Sequence, residues 1–515
     1  MKDIKGRLVS FLTACLLGII VCSETVYAFQ PNKAYLYNNN EEAVPAVNAY
    51  QIKTIIDGKQ DGFGDLLTPQ DIFVDSQDNI YILDSGNFRV VILDKHFDFV
   101  KDLSEFTYQG EVINLGKNAS GIFFREDTQM LYITDTSNDR ILVSDIQGKI
   151  DRIYVKPETQ LIDEKIAFKP KKIIVDNMGI MYVTSGSINT GALMIDVNNN
   201  FLGFYGTNKI TETLAVKMEY MMRSILTEEQ QSVLVENFQP TEFNNLFWSE
   251  DRFIYVVSPI SEKLATSVAK LNVVGENVLT EDTFFGDLTT SGESEASATV
   301  DASIEANVTT GMASVAFVDI TVDEEGFFTV IDTVSGKLYQ YDENCNLISV
   351  YGGRGYQKGL FQKPVAIETN SDKQLLILDS TKRNISVLEL TYYGEMVRNA
   401  VELHGRGLYK DALECWNEVL LMNPNFALGY VGVGKAYMDM GEYEQAMNYF
   451  ELGGDQENYG LAKSKLRSEW IRDHFMLLAV SVVCLIMVIM CWDWIKKVVF
   501  NVRKTFAGRK GRING

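Results

Sequence analysis

The stretch PQDIFVDSQDNIYILDSGNFRVVILD (69–94) contains three runs rich in β-branched and aromatic residues, IFVD, NIYILD and FRVVILD, separated by turn residues. The same grammar returns as GIFFREDTQMLYITDTSNDRILVSD (121–145) and PKKIIVDNMGIMYVTSGSINTGALMID (170–196). It is looser in NNLFWSEDRFIYVVS with a following VAKLN (244–272), and clear again in VDITVDEEGFFTVIDTVSGKLYQYD (318–342) and PVAIETNSDKQLLILDSTKRNISVLEL (364–390). The residue closing the second strand falls at Asp84, Asp135, Ser185, Ser258, Asp332 and Asp379, at spacings of 51, 50, 73, 74 and 47. The short intervals match one four-stranded propeller blade of about 40–50 residues, and the two long ones require insertions.

Both insertions are visible. KMEYMMRSILTEEQQSVLVENF (217–238) has apolar residues at helical spacing with no Gly or Pro, so a helical insertion is expected over 213–238. Residues 280–311 read as an acidic, low-complexity insertion, within a stretch from Leu271 to Gly336 that carries thirteen acids and no Lys or Arg. Six blades over 49–392 predict a closed ring. The sixth copy ends after its third strand, so AYQIKTII (49–56) is expected to supply the fourth and join the two ends of the propeller.

The copies resemble NHL repeats, through Pro69, Asp75, Tyr81, Asp84, Asn87 and Arg89, and again through Tyr132, Asp135, Asn138 and Arg140. The linkers DGKQDGFGDLLTP (57–69) and GGRGYQKGLFQKP (352–364) are similar to those between NHL blades. The fold expected is therefore mainly β, a six-bladed NHL-like propeller. Asp beside Ser/Thr and Gly/Asn is what a hairpin turn needs to satisfy its own backbone donors, so the strand-closing Asp residues are read as structural and not as metal ligands.

A second period follows the propeller. Gly407, Tyr409, Ala412, Trp416 and Leu420 recur 34 residues later as Gly441, Tyr443, Ala446, Phe450 and Gly454. Thirty-four is the tetratricopeptide period, and residues 393–473 resemble two such repeats plus a capping helix. The concave groove of that family falls on Val397, Val401, His404, Leu428, Val431, Lys435 and Met438, an apolar surface suited to a protein or peptide.

Two apolar segments set the expected location. Lys2, Lys5 and Arg7 precede an uncharged, mostly apolar run and the small-residue pattern Val26-Tyr27-Ala28, which predicts a signal peptide over 1–28. Phe475 to Trp492 is 18 residues without a charge, within the range of about 17–25 that crosses a bilayer. Phe475, Trp492, Trp494, Lys496 and Lys497 mark the membrane anchor, and residues 493–515 form a basic tail with seven Lys/Arg and one Asp. By the positive-inside rule the C-terminus is cytoplasmic and the N-terminal domain extracytoplasmic, with the tail facing anionic lipid.

Composition narrows the chemistry. The 515 residues carry 69 acidic against 47 basic side chains, a net charge of −22, which argues against nucleic acid as a partner. Outside the signal and the span only Cys345 and Cys415 remain of six cysteines, so no disulfide framework is implied, and a bacterial envelope is the expected setting. NHL-type lyases hold zinc with several histidines, but the chain has three in all, His96, His404 and His474, and only His96 lies in the propeller. Gluconolactonase-like propellers instead hold calcium or another divalent ion with Glu, Asn and Asp at strand ends, where this sequence offers Asp71, Asn244, Asn245 and Glu368. The sequence is thus read as a non-catalytic binding scaffold for envelope proteins, without a cofactor. The alternative is a divalent-metal-dependent propeller hydrolase.

Overall fold

The computed structural model describes residues 34–59, 61–163, 165–206, 242–249, 251–258, 267–279, 285–287 and 316–510. The signal peptide expected over 1–28, the helical insertion expected over 213–238 and, apart from 285–287, the acidic insertion expected over 280–311 lie outside the described residues. Two compact units divide the chain between Arg398 and Asn399.

The first unit is the propeller. Blade one pairs Asp71–Val74, Ile80–Asp84, Arg89–Leu93 and Phe99–Leu103 in order, and blade two Gly121–Arg125, Met130–Asp135, Arg140–Asp145 and Ile150–Tyr154. Blade three runs through Pro170–Val175, Met181–Ser185, Ile188–Ile195 and Phe201–Tyr205; blade four shows Asn245–Trp248, Ile254–Val257 and Val268–Leu271. Blade five comprises Phe317–Val322, Phe328–Asp332, Lys337–Tyr341 and Leu347–Gly352. Blade six is Pro364–Thr369, Leu375–Asp379 and Asn384–Leu390, completed by Tyr50–Ile56 from the other end of the unit. That last pairing is antiparallel, from Ile385 opposite Ile56 to Leu390 opposite Tyr50, and it closes the ring as the repeat arithmetic predicts.

Each sheet is covered on both faces by its neighbours, so the second strands are continuous apolar runs and not alternating ones. Ile80–Asp84, Phe328–Asp332 and Leu375–Asp379 are buried at every residue. Tyr81, Leu83, Phe124, Leu131 and Ile133 belong to one such inter-blade core, with Tyr81 stacked on Phe124 at 4.7 Å. At about 1.5–3 kcal/mol for each fully buried Val, Leu, Ile or Phe, these layers supply most of the ring's stability. A register shift recurs where the third strand meets the fourth, at Ile92/Leu93, Val143/Ser144, Met194/Ile195, Gln340/Tyr341 and Val387/Leu388. A bulge at that place increases the twist of the outer strand.

The strand-closing Asp residues tie each turn to the linker before it. Asp84 accepts from the amide of Leu67 at 2.7 Å, from Asn87 Nδ2 at 2.7 Å and from Arg89 Nε at 2.9 Å. Asp135 repeats the arrangement with Gly116, Asn138 and Arg140, all at 2.8 Å. In blade three the shorter Ser185 accepts from the Lys169 amide at 3.1 Å. Two features outside the six-copy pattern also appear. A hairpin pairs Tyr35–Tyr37 with Ala43–Pro45, and another pairs Phe106–Tyr108 with Glu111–Ile113.

Helix α1, Tyr392–Gly405, contributes its first part to the propeller unit. There Arg398 donates to Asp323 Oδ2 at 2.6 Å and Glu325 Oε2 at 2.5 Å, and its guanidinium lies 4.2 Å from the centroid of Phe327.

The second unit continues with α2 (Tyr409–Met422), α3 (Ala427–Met440), α4 (Tyr443–Gly453), α5 (Gln456–Asp473) and α6 (Phe475–Lys510). Trp416 of α2 and Phe450 of α4 are buried against glycines of α3. A Cβ on Gly432 would stand 2.2 Å from Trp416 Nε1, and one on Gly434 2.7 Å from Phe450, so the aromatic rings require these glycines. Helix α6 is long and apolar enough over Phe475–Lys504 to cross a membrane, and its helical conformation continues through the basic tail to Lys510.

Candidate functional site

The innermost strands bring ionisable side chains from four blades together near the propeller axis. Lys172, in the first strand of blade three, reaches Asp71 Oδ1 in the first strand of blade one and forms a close ion pair, with only 12% and 8% of the two side chains exposed. The other oxygen, Asp71 Oδ2, accepts from the amide of Ile122 in blade two at 2.8 Å. Asp319 of blade five makes the same inter-blade latch, its Oδ2 accepting from the Ile367 amide of blade six at 2.8 Å. Asp319 Oδ1 accepts from its neighbour Ile320 at 2.8 Å and from Asn245 Nδ2 of blade four. Glu368 of blade six completes the group, close enough to Asp319, Asp71 and Lys172 to be governed by their charges.

Three carboxylates share one ammonium, and burial raises the cost of every ionised form. Burial pushes Asp319 up to about 7, with Lys172 opposing the rise and Asp71 adding to it. Glu368 is raised well above the usual carboxylate range, first by burial and then by Asp319 and Asp71. A carboxyl held neutral donates one hydrogen bond, which an ionised carboxylate cannot do.

Of the metal ligands considered in the sequence, Asp71 and Glu368 are brought together. Asn244 is not, since its Nδ2 donates to the Phe317 carbonyl at 2.6 Å, and Asn245 faces the cluster in its place. Lys172 and Asp319 are the members that sequence reasoning missed. A signal was present: Asp71, Lys172, Asn245 and Asp319 each directly precede an aliphatic residue, Ile72, Ile173, Leu246 and Ile320, at corresponding places in four copies. Among the described residues no group of three His, Cys, Asp or Glu side chains is arranged to hold a metal ion.

The groove residues are distributed differently. Val397 is fully buried within the propeller unit, whereas Val401, His404, Leu428, Val431, Lys435 and Met438 of the helical unit are half-buried. Val431 and Met438 pack against the core of Ala446, Phe450 and Ala462. Lys435 Nζ meets His404 Nε2 at 3.2 Å, and burial, helped by that ammonium, lowers His404 to about 4. His404 is therefore neutral at physiological pH and accepts from Lys435. At the far end Phe475, Trp492 and Trp494 are exposed, and Lys496 lies 5.7 Å from the Trp492 ring centroid.

No family model matches the chain, and no curated protein sequence matches it. Among solved structures, virginiamycin B lyase from Staphylococcus aureus is similar at 11% identity, covering 66% of this chain and 100% of that one, with a TM-score of 0.37. A gluconolactonase from Xanthomonas campestris is similar at 11% identity over 70% of this chain and 99% of its own, with a TM-score of 0.37. A protein of unknown function from Bacteroides thetaiotaomicron VPI-5482 reaches 14% identity, 68% and 80% coverage, and a TM-score of 0.40. The assignment of six blades rests on the strand pairing itself.

Proposed function

We propose that this chain is a membrane-anchored binding scaffold of the cell envelope. An NHL-type propeller and two tetratricopeptide repeats stand on the extracytoplasmic face, and Phe475–Trp492 spans the membrane. The basic tail lies in the cytoplasm against anionic lipid. The observation that carries the reading is the presence, in one chain, of a closed ring and a 36-residue helix in whose 18-residue apolar core no residue is buried. The ring presents fixed loops, and the helix keeps those loops at a membrane surface.

The tetratricopeptide reading is supported by Trp416 and Phe450, 34 residues apart, each packed on a glycine of α3. With Val397 buried and Val431 and Met438 serving the core, the helical surface offered to a protein or peptide centres on Val401, His404, Leu428 and Lys435. The partner would be an envelope or membrane protein, with the scaffold accessory to a transport or secretion complex. The hydrolase reading is not adopted, because Asp71 is held by Lys172 and Ile122, and Asn244 turns away to Phe317.

Crosslinking intact cells that carry the tagged full chain, against chains lacking the propeller or residues 396–472, tests the proposal. A stoichiometric envelope partner that is lost with either deletion is expected. Recovery of the full chain alone, together with turnover of a lactone by the purified protein, would refute it.

A further inference from the structure

The axial cluster differs from a metal site in one decisive way: a cation is already built into it. A divalent ion at the axis would need free oxygen donors from several strands. Asp71 gives one oxygen to the Lys172 ammonium and the other to the Ile122 amide. Asp319 gives one to Asn245 and Ile320, the other to Ile367, while the carbonyl oxygen of Asn245 accepts from Leu246 at 2.7 Å. These partners come from blades one to six, so Asp71, Asp319 and Asn245 are engaged in holding the blades in register and do not stand free as ion ligands.

From this geometry we infer that Lys172 is the propeller's tethered axial cation: its ammonium balances Asp71, the carboxylate it pairs with, and renders ring stability independent of bound metal. The ion is carried by a side chain of blade three and grips blade one, so it also ties together two blades that are not adjacent in the ring. The inference goes beyond the scaffold reading and does not depend on it, because it concerns only how the centre of the ring is charge-balanced.

The obvious alternative is that Lys172 is an incidental partner and a divalent ion does the balancing. The two differ in what happens when the side chain is cut back. Breaking a buried pair by removing one partner leaves uncompensated charge and is strongly destabilising. If Lys172 is the axial cation, Lys172→Ala leaves space beside Asp71 that a small ammonium ion fits.

The test is thermal unfolding of the full chain in detergent, followed by near-ultraviolet circular dichroism, with elemental analysis of the same samples. The wild-type chain is expected to carry no stoichiometric divalent metal and to unfold at the same midpoint with chelator or with millimolar calcium. Lys172→Ala is expected to lower the midpoint by about 5 °C or more, with at least half the loss restored by methylammonium but not by tetramethylammonium. Lys172→Arg, which keeps the charge, should unfold closer to wild type than Lys172→Ala does. Should Lys172→Ala fail to fold, a near-wild-type midpoint for Lys172→Arg together with an inert chelator supports the inference. A stoichiometric divalent ion whose chelation lowers the wild-type midpoint overturns it. So does a Lys172→Ala chain that unfolds with the wild type and ignores methylammonium.

Discussion

The runs NIYILD (79–84) and VCLIMVIM (483–490) are both strongly apolar, yet they meet opposite surroundings. In the first, Ile82 and Leu83 are wholly buried between neighbouring blades. In the second, Ile489 is 65% and Met490 78% exposed. The propeller finishes its own burial, because each blade covers the next and the strand Tyr50–Ile56 closes the ring. Helix α6 does not, and an apolar face of that size is stable only against lipid or another protein. Apolar side chains thus serve cohesion in one region and leave an uncovered surface in the other.

Four changes break or sharpen that contrast. The largest effect belongs to removal of residues 475–515: the chain should move wholly from the membrane pellet to the soluble fraction after cell breakage, with the far-ultraviolet spectrum of the propeller retained. Next, Ile331→Ala, at a position that is fully buried in blade five, should cost the propeller about 2–5 kcal/mol in denaturant unfolding and leave membrane retention unchanged. The reverse pattern is expected for Ile486→Asp, near the middle of the apolar span. An insertion cost of about 2.5–3.5 kcal/mol should reduce the membrane-retained fraction, with no change in propeller unfolding.

The smallest effect concerns pH. Asp319 titrates near 7 in the folded ring but near 4 when unfolded, so between those values the folded state holds the extra proton. The contribution is complete below about pH 4 and is lost as pH rises through about 7. The unfolding midpoint should therefore fall by a few degrees from mildly acidic to mildly alkaline buffer, and Asp319→Asn should flatten the dependence. An unchanged slope in Asp319→Asn would show that another group is responsible.

The blades were legible because their signals are local. A turn residue, an aliphatic- or aromatic-rich run and a closing Asp, replaced by Ser185 and Ser258 in two copies, recur within about 25 residues, and Asp84 and Asp135 make the hydrogen bonds that the turn chemistry predicts. Ring closure was legible as a shortage, since the sixth copy lacks a strand that residues 49–56 could supply. The axial cluster was only half legible. Asp71 and Glu368 could be picked out as strand-end carboxylates, but Lys172 lies 101 residues from its partner, and only the ring brings the two together. Arg398 is similar: its pairing with Asp323 and Glu325 spans more than 70 residues and leaves no local mark. Val431 and Met438 pack on the core of Ala446, Phe450 and Ala462, and periodicity alone does not separate them from groove positions, because a half-buried aliphatic residue on a helix serves a core and a groove at the same spacing.

The central claim, a propeller held outside the membrane by α6, is tested most directly by protease protection in intact cells carrying a tag at the C-terminus. The account predicts that external protease digests the propeller and leaves a short tagged fragment containing residues 475–515, which is degraded only after the membrane is opened. A propeller that survives external protease while the tag is lost would contradict the account.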